Sequence, residues 1–352
     1  MGESHNGGDK TAEHAPVSVA EATAGGTKPG TAVLLTGYGG PDCLDSVAPF
    51  MCNLMGREPD SELVDEVKKR YLTIGGCSPT LSIAQSVAVG LEHRLVERGH
   101  AVPVTFAMRY WHPFIGDVLK MMYEAGIRTV VTVSLSPYES AIATGAVRSA
   151  IDEAVAELPD MKIVDTPLLH TVDAFSAILA AHVATALYEI KDVTPKLAVL
   201  TAHSLPLSEM EADDSYVSQL MGVLDNVLAG LQMPVRDELD GSDPQLPGIE
   251  AWGNLRDPQP WVFAYQSKGR KPGPWLGPDL DSVLDAAVAG GFKGVALCPI
   301  GFALDNMETV YDLDVVAADY LVKQDLEYAR SALPDDDPLL LDAIAEMVEG
   351  RL

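Results

Sequence analysis

The stretch GVALCPIGFALDNMETVYDLD, Gly294 to Asp314, joins two opposite kinds of sequence. Its opening run, GVALCPI, is apolar without alternation. A run of that length with both faces apolar reads as a strand buried on both sides, hence a strand of a parallel sheet. Four carboxylates follow within ten residues, Asp305, Glu308, Asp312 and Asp314, just past the strand's carboxyl end. In open α/β sheets ligands bind beyond that end, so the charge falls where chemistry is expected.

Working outward, the same kind of run recurs along the chain. AVLLT (Ala32–Thr36), VPVTFA (Val102–Ala107), TVVTVSL (Thr129–Leu135) and KIVD (Lys162–Asp165) precede it, then LAVLTA (Leu197–Ala202) and WVFAY (Trp261–Tyr265). Segments of helical period lie between them, including Ser82–Gly99, Phe175–Ile190 and Asp281–Phe292. Alternation of strand and helix predicts an α/β fold with right-handed crossovers. The series restarts after KDVTPK (Lys191–Lys196), which predicts two similar α/β halves over 31–193 and 194–352. After the turn LPDDDP, the amphipathic segment LLLDAIAEMVEGRL predicts a final helix packing back across both halves. Residues 1–30, rich in Gly, Ala, Thr and His, read as a disordered tail, and Pro234–Asp257 as a loop-rich insertion.

Composition narrows the function. Of 352 residues, 51 are Asp or Glu and 24 are Lys or Arg, for a formal net charge of −27. A phosphate backbone or an anionic membrane surface would be repelled, so neither nucleic acid nor membrane is expected as a partner. No apolar run reaches the roughly 18–20 residues that span a bilayer, and the amino terminus lacks the basic and apolar regions of a secretory signal, which points to a cytoplasmic protein. Cys43, Cys52, Cys77 and Cys298 form no CxxC or CxC, so spacing suggests neither a zinc nor an iron–sulfur site. GYGGPD (Gly37–Asp42) lacks GxGxxG spacing, and no GK[ST] or GxSxG occurs, which argues against NAD, ATP and hydrolase chemistry.

The residues just past each strand are more informative. The strand ends lead into Tyr38 between glycines, into MRYWHP (Met108–Pro113), into SPYES (Ser136–Ser140), into His203-Ser-Leu-Pro206 and into QSKGRKPGPWLGPD (Gln266–Asp279). Aromatic, basic, imidazole and carboxylate groups on one rim suit a large flat ligand with acidic side groups and proton transfer at its centre. If a helix begins near Asp305, then Asp305, Glu308 and Asp312 share one face. Such acids would also suit a solvated helix start through the macrodipole. Crowded carboxylates raise one another's pKa, and with imidazole they can relay protons or hold a labile Fe²⁺ or Zn²⁺.

GYGGPD, YLTIGGCSP (Tyr71–Pro79), MRYWHP, TAHSLP (Thr201–Pro206), AYQSKG…PWLGPD and PIGFALDNMETVYDLD occur in the order and at the spacing of the ferrochelatases, which this chain resembles over about residues 31 to 345. The resemblance implies two Rossmann-like, chelatase-type halves, each a parallel sheet flanked by helices, with the active-site cleft between them. It implies insertion of Fe²⁺ into a porphyrin, with ferrous iron and porphyrin as the partners and no redox step, ATP or organic cofactor. His203 matches the family's central catalytic histidine, Glu308 the glutamate opposing it across the macrocycle, and Asp312 the acid one turn later. Tyr38 looks like the tyrosine that ligates product iron in the coproporphyrin-using bacterial branch, so the expected metal set is His203, Glu308 and Tyr38. Arg57, Arg70, Tyr71 and Ser78 match propionate-holding positions, and Met108, Arg109 and Trp275 join the expected porphyrin-contacting set. Coproporphyrin III is favoured over protoporphyrin IX, and the protein is expected to be a monomer.

Departures from the family pattern are specific. Asn306 stands where many members have a histidine, and Asn cannot accept a proton. Val316 replaces a further acid, so a second outer metal site is not expected. No cysteine follows Cys298, so no [2Fe-2S] cluster is expected. The apolar membrane lip of animal enzymes is replaced by the charged MCNLMGREPDSELVDE (Met51–Glu66). Two other readings share this chemistry: a related tetrapyrrole chelatase, against which the full motif set argues, and a non-enzymatic haem or porphyrin carrier.

Overall fold

All seven apolar runs become strands; six supply side chains to two covered faces, and KIVD, without a fully buried residue, pairs at the sheet edge. The computed structural model describes residues 30–210, 214–233, 253–254 and 259–352; the expected tail and most of the expected insertion lie outside them. In the first half, β1 (Gly30–Gly37), β2 (Val104–Met108), β3 (Ile127–Ser134) and β4 (Lys162–Asp165) form a parallel sheet in the order β2-β1-β3-β4. In the second, β5 (Lys196–His203), β7 (Trp261–Gln266), β8 (Gly294–Pro299) and β9 (Glu327–Arg330) are parallel in the order β7-β5-β8-β9. A two-residue strand, β6 (Gly253–Asn254), pairs antiparallel with β7 at the edge. The halves therefore repeat one topology, with the first strand central and the third on its other side.

That topology fixes where a ligand goes. Chain direction across the sheet reverses between the first and third strands of each half, which opens a crevice beyond their carboxyl ends. In the first half the crevice lies beyond β1 and β3, above Tyr38. In the second it lies beyond β5 and β8, where His203 ends β5 and the acidic stretch follows β8.

Alternation along the central strands builds two layers of core. Val33 and Leu35 of β1 and Ala198, Leu200 and Ala202 of β5 belong to one continuous cluster. It also takes in side chains from α3 (Thr80–Glu97), α6 (Asp173–Glu189), α7 (Tyr216–Gly230) and the terminal helix α10 (Pro338–Glu349). The opposite faces are covered separately. Ala32 and Leu34 lie under α4 (Ile115–Glu124) and α5 (Ala146–Val155), and Leu197 and Val199 under α8 (Leu280–Ala289). Two further helices, α1 (Val47–Met55) and α2 (Ser61–Thr73), form a smaller cluster around Tyr71 and Trp111. Arg98 of α3 ties α10 down through Glu349 at 3.0 Å and Asp342 at 3.3 Å. Among the described residues no helix is long and apolar enough to cross a membrane.

The turn out of β8 depends on Gly301. A Cβ there would lie 2.6 Å from the Cβ of Ala202 and 2.7 Å from its Cα, both on the strand that ends in His203. The neighbour is backbone of a central strand and cannot yield. Gly301→Ala is therefore expected to destabilise the fold by about 1–3 kcal/mol in urea unfolding, the usual range for overpacking a filled site.

Candidate active site between the two halves

The second half supplies three of the converging elements. His203 is the last residue of β5, half-buried, with Nδ1 2.5 Å from the carbonyl oxygen of Ser204. A carbonyl only accepts, so Nδ1 carries the proton and Nε2 presents its lone pair. The Tyr216 hydroxyl donates to the His203 carbonyl at 3.0 Å, and Phe302 approaches the ring edge-on at 6.3 Å. Gln266 ends β7 beside His203, and Ser267 after it turns with φ +60 and donates to Oδ2 of Asp312 at 2.5 Å.

The acidic stretch divides into two sets with different work. Asp305 accepts from Nη1 and Nη2 of Arg330 at 2.9 and 3.1 Å, and Asp314 accepts from Nε of the same guanidinium at 2.7 Å. With its side chain 14 % exposed, Arg330 makes these pairs part of the framework. Asp305 thus departs from the expected stripe with Glu308 and Asp312. The reason is local geometry: the helix starts after it, and Glu308–Ala317 is π-helical before continuing as α9 (Ala318–Lys323). π turns are rare in proteins and concentrate at functional sites. Asn306 precedes that helix and caps it, its Oδ1 accepting from the N–H groups of Glu308 at 2.9 Å and Thr309 at 3.2 Å. Its Nδ2 donates to the Leu304 carbonyl at 3.1 Å. Every polar atom of the Asn306 side chain is therefore engaged in shaping the turn, a role its sequence position does not disclose.

The remaining acids meet groups from the first half. Burial first, then the charges of Tyr110 and Glu308, push the Tyr38 phenol well above its ordinary range. Burial and then Glu308 and Tyr38 do the same to Tyr71, which is 4 % exposed. Burial raises the Asp312 carboxyl, and Glu308 raises it further, against the hydrogen bond from Ser267 and the charges of Arg70 and His203. The physical causes of these shifts bring Tyr38, Arg70, Tyr71, His203, Glu308 and Asp312 into one electrostatic neighbourhood. Arg70 also lies over the Tyr311 ring of the π segment, 5.7 Å from its centroid, and pairs with Glu66 at 2.7 Å. Tyr38 rests against Tyr110 with ring centroids 4.6 Å apart. Buried Ser78 bonds to Thr80, whose hydroxyl donates to the Asp305 carbonyl across the halves at 3.2 Å.

The other four expected porphyrin contacts have surroundings of their own. Arg57 is exposed, and its Nη1 approaches the Glu58 carbonyl at 3.5 Å. Met108 is fully buried under the glycine loop, with its Cβ 2.9 Å from where a Cβ of Gly39 (φ +95) would stand. Arg109 stacks on Tyr110 and lines a separate cavity of about 300 Å³ with Phe114, Ile115 and Glu153. Trp275 covers Gly269 in the loop after β7 and donates from Nε1 to the Lys271 carbonyl at 3.0 Å. Sequence reasoning does not single out Gln266, Ser267 or Arg330; a polar pair ending an apolar strand is the available signal for the first two. Among the described residues no three His, Cys, Asp or Glu side chains cluster as a metal site. The set of His203, Glu308 and Tyr38 contributes two such donors and a phenol.

A family model described as Ferrochelatase matches residues 30–352. The chain is 31% identical over 326 residues to "Ferrochelatase" of Herpetosiphon aurantiacus, covering 91% of this chain and 99% of that protein. It is 32% identical over 337 residues to "Coproporphyrin III ferrochelatase" of Mycolicibacterium smegmatis, covering 91% and 90%. Among solved structures, SirB from Bacillus subtilis with Fe³⁺ aligns over 91% of this chain and 94% of that one, with a TM-score of 0.50 at 12% identity, a likeness of fold.

Asp335 beneath the acidic stretch gives a pH signature. Its carboxylate accepts from the N–H of Asp305 at 2.8 Å, and burial pushes its pKa up to about 7. The charges of Asp305 and Asp336 add to the rise, against that backbone bond and Arg330. Because the folded value exceeds the unfolded one, the native state holds the extra proton between about pH 4 and 7 and loses stability as pH rises through that window. Asp335→Asn has no proton to lose. Melting temperatures at pH 5 and pH 8 are expected to show a larger drop with rising pH in the wild type than in the variant.

Proposed function

This chain belongs to the ferrochelatase family and inserts metal into porphyrin in haem biosynthesis, and on that premise we propose that it metallates coproporphyrin III with Fe²⁺ between His203 and Glu308. The observation that carries this reading is geometric: Gln266, opposite His203 in the sheet, donates to the Glu308 carbonyl at 3.2 Å, the adjacent Ser267 holds Asp312 at 2.5 Å, and Arg70 of the first half lies over Tyr311 of the same segment. Metal insertion removes two pyrrole N–H protons and places Fe²⁺ on four nitrogens, with no change of oxidation state. His203 is suited to accept a proton, since its Nε2 lone pair is free when Nδ1–H is held by Ser204. Glu308 would meet the opposite face, and Asp312, raised by burial, would pass protons outward.

Several features support coproporphyrin III, whose four propionates exceed the two of protoporphyrin IX. Arg70 offers a guanidinium beside the π segment, 5.7 Å from the Tyr311 centroid, Tyr71 and Ser78 would hold further propionates, and Tyr38 would serve as a phenol ligand for the product iron. We further propose that the protein acts in the cytoplasm as a monomer and needs no organic cofactor or [2Fe-2S] cluster. Burial holds the Cys298 thiol up at about 12, far from a ligand thiolate.

Purified protein given Fe²⁺ anaerobically with each porphyrin is expected to metallate coproporphyrin III with the higher kcat/KM, read from the Soret band. Metallation of neither porphyrin, with binding retained, would convert the protein to a carrier. His203→Ala is expected to lower kcat by at least about a hundredfold, in the range of general acid–base catalysis, while porphyrin quenching of tryptophan fluorescence persists.

A further inference from the structure

Gln266 touches both sides of the proposed reaction centre without belonging to either. Its backbone carbonyl accepts from the N–H of Ser204, the residue after His203, at 2.8 Å, and in the ladder it stands directly opposite His203. Its side chain is 2 % exposed. There Oε1 accepts from the Thr201 hydroxyl at 2.5 Å, and Nε2 donates to the main-chain carbonyl of Glu308 at 3.2 Å. The same Nε2 lies 3.3 Å from Oγ of Ser267, which itself holds Asp312. One residue thus links the strand end carrying the imidazole to the first turn of the π segment carrying both carboxylates.

The direction of each bond makes the link specific. Thr201 can satisfy Oε1 only as a donor, which orients the amide so that Nε2 faces Glu308. Burial removes water as a substitute partner, so losing the amide leaves the Glu308 carbonyl and the Thr201 hydroxyl each short of a bond. A π segment has few alternatives for absorbing that change, because its start is fixed by the Asn306 cap and by Arg330. The freedom that remains is displacement of the Glu308 turn relative to β5.

We propose that Gln266, set by Thr201, is a positioning residue that fixes the separation of His203 from Glu308 and Asp312 during metal insertion. The proposal rests on those three residues being the reacting groups. It predicts a loss in the chemical step with porphyrin binding intact, since the macrocycle's carboxylates are held by other side chains. A displacement of about 1 Å between reacting groups costs up to about a hundredfold in rate.

The test uses the full chain, anaerobic Fe²⁺ and coproporphyrin III, with kcat, KM and porphyrin affinity measured together. Gln266→Met, similar in length but without the amide, is expected to lower kcat about tenfold to a hundredfold with KM and affinity within about twofold of wild type. Thr201→Val should lower kcat in the same way, and Thr201→Ser should restore it. The double variant combining Thr201→Val with Gln266→Met should be no slower than Gln266→Met alone, as for groups acting in one chain. Wild-type kcat in Gln266→Met overturns the proposal, as does a fall in kcat matched by an equal fall in affinity. If Gln266→Met does not fold, the Thr201 pair decides: wild-type kcat in Thr201→Val overturns it, and loss reversed by Thr201→Ser supports it. Full activity in His203→Ala would instead defeat the reading of the reacting groups, and the positioning role would fall with it.

Discussion

The Arg330 guanidinium is the constraint on which the arrangement of the acidic stretch depends. It sits at the end of β9, nearly enclosed, and binds Asp305 before the π segment and Asp314 within it. A buried cation is costly unless paired, and two carboxylates on one guanidinium satisfy it. The pairing fixes both ends of a span containing Glu308 and Asp312, and among the described residues neither of those two has an ion pair. The result is a sorting of like charges: two neutralised in the framework and two directed toward Tyr38, Tyr71 and His203.

Sorting also explains how a chain with net charge −27 can concentrate more acid in its cleft. Burial raises the Asp312 carboxyl, and repulsion from Glu308 raises it further. Ser267 and Arg70 oppose that rise, the first by a direct hydrogen bond and the second from across the cleft.

Much of this is legible in the sequence where one physical rule dominates. Apolar runs without alternation are covered on both faces, so β1 to β3, β5, β7 and β8 can be read directly, and with them the rim that carries His203. The strand EYAR (Glu327–Arg330) escapes because it is short and charged, its place at the sheet edge being set by pairing with β8. The acidic stretch misleads at Asp305 because ordinary helical spacing does not hold in a π segment, whose wider turn no apolar periodicity announces. Gln266 escapes for a different reason: its importance lies in which backbone atoms it meets, and the tertiary fold makes those meetings, joining β7 to a segment 42 residues away.

The two halves repeat one topology but carry unlike crevices. Both place their first and third strands around a switch point, and by symmetry each could have carried the same chemistry. They diverged. Beyond β1 the chain uses glycines, phenols and the nearby Arg70, groups that stack, donate and hold anions but exchange protons poorly near neutrality. Beyond β5 and β8 it uses imidazole and carboxylates, which exchange protons readily. A planar substrate bound between the halves would have its carboxylates gripped from one side and its centre addressed from the other. Because the two sets of groups belong to different halves, a change in how such a substrate were held would leave the hydrogen bonds of the second half in place. The link that must stay rigid is then within the second half, between the end of β5 and the π segment, where Gln266 stands.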